Sequence, residues 1–111
     1  MKRTPKTMIK RSLLTKSLAG NDLDLLLITN FESSEEEISQ RKAIIITARV
    51  HPGETNSSFI IQGLIDLLVS NDRVAKQLRN QYVFKIVPML NPDGVIIGNY
   101  RCSLSGLDLN R

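Results

Sequence analysis

A histidine and a glutamate three positions apart, His51 and Glu54, are the side chains in this sequence best suited to bind a metal ion. They flank a Pro-Gly pair, and a tight loop of this kind can turn an imidazole nitrogen and a carboxylate oxygen toward one cation. Each of these atoms approaches zinc to about 2.0–2.2 Å. A histidine hydrogen-bonded within a loop, followed by a glutamate near the start of a helix, gives the same spacing without a metal. The spacing by itself leaves both interpretations open.

A second group of polar residues comprises Arg101, Asp108, Asn110 and Arg111. An arginine offers a planar fork to a carboxylate or an oxyanion, and an asparagine amide can donate a hydrogen bond. Alternation along the segment predicts that Asp108 and Asn110 lie on one face of an extended stretch, with the neighbouring leucines on the other. Taken alone, such residues are more often surface charges or turn residues.

Two apolar runs and a helix must position these groups. Leu23–Thr29 and Ala43–Val50 are nearly continuous apolar runs, which predicts strands buried on both faces. The second strand ends just before His51, at the carboxyl end where open α/β sheets bind ligands. Residues 57–70 repeat apolar side chains at helical spacing, and Ser57 can cap the helix that this spacing predicts.

The remaining segments complete an α/β order. The acidic, serine-rich stretch Glu32–Lys42 predicts an exposed loop. Asn71 or Asp72 can cap a short second helix, and Tyr82–Val87 predicts another strand. Residues 91–94, Asn-Pro-Asp-Gly, suit a type I turn. The order strand, strand, helix, helix, strand indicates an α/β fold with at least one crossover connection.

The charge of the chain is unevenly distributed. Residues 1–16 carry six bases and no acid, so the rest of the chain holds nine bases against eleven acids, although the net charge is +4. A basic surface of the type that binds nucleic acid is therefore not expected. We interpret residues 1–20 as a basic leader or linker. An organelle transit peptide, or a basic arm for nucleic acid or microtubule surfaces, is the alternative.

Cysteine content and hydropathy exclude other classes of protein. The single cysteine, Cys102, cannot close an internal disulfide, which favours a reducing compartment. The absence of a secretory apolar region favours the same compartment. No apolar run exceeds four residues, so a transmembrane helix is not expected. One histidine cannot by itself build a closed zinc site.

Four motifs in their order and spacing resemble the zinc metallocarboxypeptidases of the M14 type, and more narrowly the cytosolic carboxypeptidases, which trim glutamates from tubulin and other proteins. The motifs are His51-Pro52-Gly53-Glu54-Thr55, Asn91-Pro92-Asp93-Gly94, Asn99-Tyr100-Arg101-Cys102-Ser103 and Asp108-Leu109-Asn110-Arg111. The stretches 17–21 and 47–50 are also similar to that subgroup. The resemblance covers about residues 11–111. It implies an incomplete zinc carboxypeptidase fold, a partial mixed sheet flanked by helices, with residues 21–111 as the N-terminal part of the catalytic domain.

Carried over residue by residue, the resemblance makes His51 and Glu54 two of the three protein ligands of one zinc ion, with water in the fourth position. Asp108 would orient the His51 ring through a hydrogen bond. Arg101 would stabilise the oxyanion formed when zinc-activated water attacks the last peptide bond. The terminal carboxylate of the substrate would be held by two further residues, Asn110 and Arg111.

The sequence departs from the family in one respect. The second zinc histidine and the glutamate base of the family lie beyond the Asn-Arg pair, whereas His51 is the only histidine of these 111 residues. We therefore expect the chain alone to be inactive, because two ligands hold zinc weakly and no base takes the proton from water. We also expect it to expose an apolar face or edge of its sheet. The alternative is a noncatalytic truncated or pseudoenzyme module that binds acidic peptide C-termini.

The resemblance also implies partners and a location. The expected partners are C-terminal or polyglutamylated tails of proteins such as tubulin. The expected location is the cytoplasm, in association with the cytoskeleton or cilium, and no membrane is expected to be bound.

Overall fold

The backbone is organised around a mixed four-stranded sheet. The computed structural model describes residues 8–110, and within them the strands are β1 (Ile9–Lys16), β2 (Asp22–Ile28), β3 (Lys42–Thr47) and β4 (Tyr82–Val87). Their spatial order is β1-β2-β4-β3. β2 runs antiparallel to β1 and β4, whereas β3 and β4 are parallel. The predicted α/β fold with a mixed sheet flanked by helices is confirmed.

Helices connect and flank these strands. In the described residues they are α1 (Glu35–Gln40), α2 (Asn56–Leu68), α3 (Arg73–Gln81) and α4 (Pro92–Ile97). α2 and α3 lie between the parallel strands β3 and β4 in the chain, which confirms the predicted crossover. Asp72 caps α3, because its side chain accepts hydrogen bonds from two backbone amides of the first turn. Among residues 8–110, none of the helices has the length and hydropathy of a membrane-spanning segment.

The hydrophobic core joins α2 to the sheet. Its buried members come from β2, β4, α2 and the residue after β3: Ile28, Ala48, Ile61, Leu68, Phe84 and Ile86. Full burial of an aliphatic side chain of this size stabilises a fold by about 1.5–3 kcal/mol relative to exposure. The core therefore fixes α2 on the sheet, and with it the loop between β3 and α2 that carries His51.

Arg79 of α3 is a buried cation that contacts the end of α2. It is 4% exposed, and its Nη1 atom donates to the carbonyl oxygens of Leu68 (2.6 Å) and Ser70 (2.8 Å). Burial lowers the pKa of Arg79, yet the side chain remains charged at neutral pH because the ordinary pKa of a guanidinium lies far above neutrality. Carbonyls at a helix C-terminus lack intrahelical donors, so this side chain ties α3 to the end of α2.

The predicted basic linker is wrong for residues 9–16, which form the edge strand β1; residues 1–7 lie outside the described residues. Sheet edges commonly carry exposed charged side chains, so a basic composition does not exclude a strand. Arg11 pairs with Asp24 at 2.5 Å and Lys16 with Asp22 at 2.9 Å, both on the neighbouring strand β2. The bases of this segment are thus partly neutralised within the sheet.

Two other local predictions are wrong. Residues 35–40 form α1 and not a loop, because Ser34 Oγ accepts from the amide of Glu37 (3.2 Å) and acidic residues occupy the first turn, where the helix dipole favours them. β3 is not buried on both faces, because the Ile45 side chain is 71% exposed. β3 also lies at the edge of the sheet in the described residues. The exposed Ile45 confirms the expected apolar surface of the sheet, and Phe59 and Ile60 of α2 are also exposed.

Candidate functional site

The parallel strands bring two loops together at one end of the sheet. Beyond β3 and β4 the chain segments remain hydrogen-bonded, with Leu90 N–H donating to Ala48 O (2.8 Å) and Asn91 N–H donating to Arg49 O (3.1 Å). The loop after β3 is therefore held against the loop after β4. His51 lies at the carboxyl end of the parallel pair, where the sequence predicted a ligand site.

His51 and Glu54 lie on one tight turn. The amide of Glu54 donates to the carbonyl oxygen of His51 (3.2 Å); His51 is buried, whereas Glu54 is exposed. The Nδ1 atom of His51 has no hydrogen-bond partner within residues 8–110 and lies 3.6 Å from Oδ1 of Asp108. A buried polar atom without a partner is costly. The ring therefore has capacity for one further interaction, and a carboxylate stands beside it.

Asp108 organises the other half of the site. Its Oδ2 atom accepts a hydrogen bond from Arg101 Nε (2.6 Å), and its Oδ1 atom accepts one from the Asn110 amide (3.0 Å). The Asn110 amide first, and then the Arg101 guanidinium, hold the pKa of Asp108 below its ordinary value. The hydrogen bond to Asp108 in turn raises the pKa of Arg101. Both side chains are therefore charged at neutral pH.

The guanidinium of Arg101 retains donors for a further acceptor. Its side chain is 43% exposed, and in the part of the chain that the structure describes neither Nη1 nor Nη2 donates a hydrogen bond. Nε is occupied by Asp108, which fixes the plane of the fork. The two NH2 groups held in this way can donate to a carbonyl oxygen or an oxyanion.

The segment around Asp108 forms a turn, so the predicted extended stretch with Asp108 and Asn110 on one face is wrong. The physical reason is that the Asp108 side chain bonds the backbone amide two residues later, which favours a turn. Asn110 therefore reaches the site through its backbone N–H, and its exposed side chain stands outside that contact. Arg111 lies outside the described residues, and its predicted role stays a prediction.

Glycine at position 53 lets the His51 loop approach the Arg101 segment. The Gly53 amide donates to the carbonyl of Tyr100 (2.5 Å), and a Cβ atom at position 53 would lie 2.1 Å from the Tyr100 ring. A side chain there would displace the ring. The close approach of these two segments places His51 beside Oδ1 of Asp108 and Arg101 beside Oδ2.

Asn91 has a role that sequence reasoning missed. Its Oδ1 atom accepts from the Gly94 amide (3.0 Å) and caps α4, so the predicted type I turn at residues 91–94 continues into a helix. Proline at the first helical position suits such a start. The Asn91 Nδ2 atom donates to the carbonyls of Val50 (3.1 Å) and Cys102 (3.3 Å), which links the two loops of the site. An asparagine before proline was a signal for a helix cap that could have been used.

α2 begins differently from the prediction as well. Thr55 is its N-cap and makes no side-chain cap hydrogen bond. Ser57, the predicted cap, donates through Oγ to the Glu54 carbonyl (2.9 Å) and accepts from the Arg49 amide (3.1 Å). The Ser57 hydroxyl therefore links Arg49 to Glu54, at the two ends of the loop that carries His51.

Asp93 anchors the loop between β1 and β2 to α4. It is 5% exposed, and its carboxylate accepts from Ser17 Oγ, from Asn21 Nδ2 (2.8 Å) and from the Ala19 amide (3.1 Å). The hydrogen bond from Ser17, followed by that from Asn21, lowers the pKa of Asp93. The stretch 17–21 thus serves to satisfy a buried carboxylate next to the site.

We expect Asp93→Asn to destabilise the chain at neutral pH, because an amide cannot accept from all three donors. A carboxyl group whose pKa is lower in the folded state stabilises the fold above its unfolded pKa of about 3.9, and this stabilisation is lost as the pH falls through the folded-state value. The difference between parent and variant should therefore shrink in acid. Urea unfolding between neutral pH and pH about 3 measures it. Asp66→Asn, on the exposed face of α2, is the matched control; equal pH profiles for the parent and Asp93→Asn would contradict the expectation.

The donor atoms fit zinc in part. His51 and Glu54 supply an imidazole and a carboxylate on one turn, which are ligand types that zinc accepts. Within residues 8–110 no group of three or more His, Cys, Asp or Glu side chains could hold a metal ion. The described residues therefore fit two positions of a histidine-glutamate zinc site, with a carboxylate placed to orient the histidine.

Comparison with known proteins decides the family. The family model for zinc carboxypeptidases, Peptidase_M14, matches residues 1–111. The chain belongs to the zinc carboxypeptidase family. Mouse cytosolic carboxypeptidase 6 is 59% identical over 101 residues, which are 91% of this chain and 18% of that protein. Mouse cytosolic carboxypeptidase 2 is 56% identical over 102 residues, which are 92% of this chain and 12% of that protein.

The fold of this zinc carboxypeptidase segment agrees with solved structures. The metallo-carboxypeptidase from Burkholderia cenocepacia superimposes with a TM-score of 0.82 and 31% sequence identity, over 93% of this chain and 27% of that one. The resemblance predicted from the four motifs is confirmed at the level of the family and the fold. The chain spans less than a fifth of the length of the two curated relatives named above.

Proposed function

We propose that this zinc carboxypeptidase segment forms part of the active site of an enzyme that removes C-terminal glutamates from acidic protein tails such as those of tubulin. One observation carries the proposal. His51 and Glu54 share a tight turn, and Nδ1 of the buried His51 ring lies 3.6 Å from Oδ1 of Asp108. A histidine that binds zinc commonly has its ring oriented by a carboxylate, a backbone carbonyl or a water molecule. Membership of the zinc carboxypeptidase family supports the same assignment.

The metal-binding step depends on His51, Glu54 and Asp108. His51 and Glu54 would hold one zinc ion together with a further ligand. Asp108 keeps its negative charge at neutral pH, because its hydrogen bonds lower its pKa, and it therefore favours one orientation of the ring. When bound, zinc supplies a Lewis acid and an activated water for hydrolysis.

Arg101 would act on the substrate carbonyl. Its Nε–H···Asp108 hydrogen bond fixes the guanidinium, and its remaining N–H groups are accessible. Donors held in advance where negative charge develops lower the barrier without reorganising during the reaction. Asn110 and Arg111 would bind the terminal carboxylate of the substrate, which restricts cleavage to the last peptide bond.

The proposed preference for glutamate rests on the resemblance of the four motifs, and the proposed cytoplasmic location is supported by similarity to cytosolic carboxypeptidases. Cytosolic carboxypeptidases 2 and 6 of mouse exceed 55% identity over more than nine tenths of this chain. We extend the proposal to the cytoplasm, with association with the cytoskeleton, on that ground. An acidic tail would also meet the positive charge of Arg101 on its way to the site.

A chimaera tests the proposal directly. Residues 8–110 of this chain replace the matching segment of mouse cytosolic carboxypeptidase 6, and the release of glutamate from a peptide ending in several glutamates is measured. We expect hydrolysis by the chimaera, and a loss of at least about 1,000-fold in kcat/KM for Arg101→Ala, since removal of one oxyanion donor costs about 100- to 1,000-fold and the substrate contact is also lost. Arg73→Ala, an exposed arginine on α3, is the control.

Three further outcomes decide between parts of the proposal. The isolated 111-residue chain should release no glutamate, because it contains one histidine. A chimaera that is folded but inactive, while the unmodified mouse protein is active, would contradict the assignment of the site. A chimaera that removes C-terminal leucine or lysine but no glutamate would contradict the substrate class and leave the site assignment intact.

A further inference from the structure

Arg49 has an unusual backbone conformation beside His51. Its φ angle is 56°, the one positive value at a non-glycine position within residues 8–110. This region is disfavoured for residues with a side chain, because the Cβ atom approaches the carbonyl oxygen. Such conformations persist where surrounding contacts hold them, and they are frequent at functional sites. Contacts around Arg49 must therefore hold it in this conformation.

The backbone of Arg49 is held from two sides. Its amide donates to Ser57 Oγ (3.1 Å), in the first turn of α2, and its carbonyl accepts from the Asn91 amide (3.1 Å), in the loop after β4. The start of the helix and the neighbouring loop thus determine the unusual φ angle together. This conformation sends the chain from β3 into the turn that carries His51.

The side chain of Arg49 spans the same turn. Its Nε and Nη2 atoms donate to the Pro52 carbonyl at 3.2 and 2.6 Å, and its Nη1 atom donates to Ser58 Oγ at 3.0 Å. Pro52 lies between the two proposed zinc ligands, and Ser58 lies on α2. All three guanidinium nitrogens therefore link the turn to the helix. A lysine could not reproduce this planar, forked geometry.

We propose that Arg49 is a positioning residue that fixes the orientation of His51 relative to Glu54 before metal binds. It acts through the Pro52 carbonyl and the first turn of α2. The inference rests on the proposed function, because a rigid turn favours metal binding only if His51 and Glu54 bind the same metal ion. An unclamped turn would have to order itself on binding, which reduces affinity.

The test compares Arg49→Asn, Arg49→Lys and Arg73→Asn in the 111-residue chain, produced without a polyhistidine tag. Asparagine tolerates positive φ but lacks the guanidinium, and Arg73→Asn makes the same change of charge on the exposed surface of α3. Zinc affinity is measured by competition with a chromophoric chelator. Amide hydrogen exchange is measured at Gly53 and Glu54, with the amides of β4 as a reference for folding.

We expect Arg49→Asn to weaken zinc binding about 10-fold, the loss typical of residues that orient ligands. Amide exchange in the turn should accelerate about 10-fold while β4 stays protected, since only local opening changes. Arg49→Lys should give smaller changes of both kinds, and Arg73→Asn none. Parent-like zinc affinity and parent-like exchange in Arg49→Asn would overturn the inference. If the parent chain binds no measurable zinc, its two-ligand site is too weak for the affinity comparison, and parent-like exchange of the Gly53 and Glu54 amides in Arg49→Asn would by itself overturn the inference. The chimaera tests the proposed function separately.

Discussion

Zinc binding by the isolated chain should fall by at least about 100-fold when His51 is replaced by alanine, because a directly coordinating group contributes more than the 10- to 100-fold of a group that orients it. His51 is the sole imidazole of the chain, so no other histidine can substitute for it. The ring is buried and its Nδ1 atom has no hydrogen-bond partner among residues 8–110, so truncation removes a polar atom without leaving a donor unsatisfied there. The loss should therefore appear in metal affinity more than in stability.

Two companion variants make this expectation specific. Asp108→Asn should reduce zinc affinity about 10-fold, because it keeps the size of the side chain and removes the charge that orients the ring. Gln62→Ala, on the exposed surface of α2, should leave the affinity unchanged. Titration calorimetry with the metal-free chain gives all the values under one condition. Equal affinities of the parent and His51→Ala would contradict the placement of zinc at this turn, and a larger loss in Asp108→Asn would assign the ligand role to the carboxylate.

The elements with a strong apolar pattern could be predicted from the sequence. β4 has the predicted bounds, β2 differs from Leu23–Thr29 by one residue at each end, and α2 covers nearly all of the predicted helix. In each case burial of one or both faces demands apolar side chains at fixed intervals. The edge strand β1 has no such pattern, since its pairing with β2 uses backbone groups that any residue provides. Composition therefore indicated a linker where a strand exists.

The residues of the candidate site could be predicted from the sequence, but their arrangement in space could not. The motifs identified His51, Arg101 and Asp108, and the structure brings them together. Alternation nevertheless predicted an extended stretch around Asp108, because spacing does not reveal that an aspartate accepts from a nearby amide. Arg49 and Asp93 stand in stretches that the motifs include, but their roles were missed for a related reason. Their partners are carbonyls, amides and hydroxyls whose positions depend on the folded backbone. Such contacts have no signature in residue types or intervals.

A second large effect, on the stability of the fold, is expected when Gly94 is replaced, because Gly94 packs against both loops of the site. Gly94 is buried in α4, and a Cβ atom at this position would lie 2.6 Å from the carbonyl oxygen of Cys102 and 2.8 Å from the Pro52 ring. A backbone carbonyl cannot move aside as the end of a flexible side chain can. We expect Gly94→Ala to destabilise the fold by about 2–3 kcal/mol, in the range measured for overpacked interiors.

Gly63 provides the matched control, because it lies in α2 and a Cβ atom there would meet no atom within 4 Å. Both replacements improve helix propensity, so Gly63→Ala should stabilise the chain by about 0.5–1 kcal/mol while Gly94→Ala destabilises it. Urea unfolding measures both changes. Since Pro52 follows His51 and Cys102 follows Arg101, any relief of the clash at Gly94 must move a segment of the site. Gly94→Ala should therefore also weaken zinc binding, and a variant with parent-like stability and zinc affinity would show that this contact does not set the distance between the two loops.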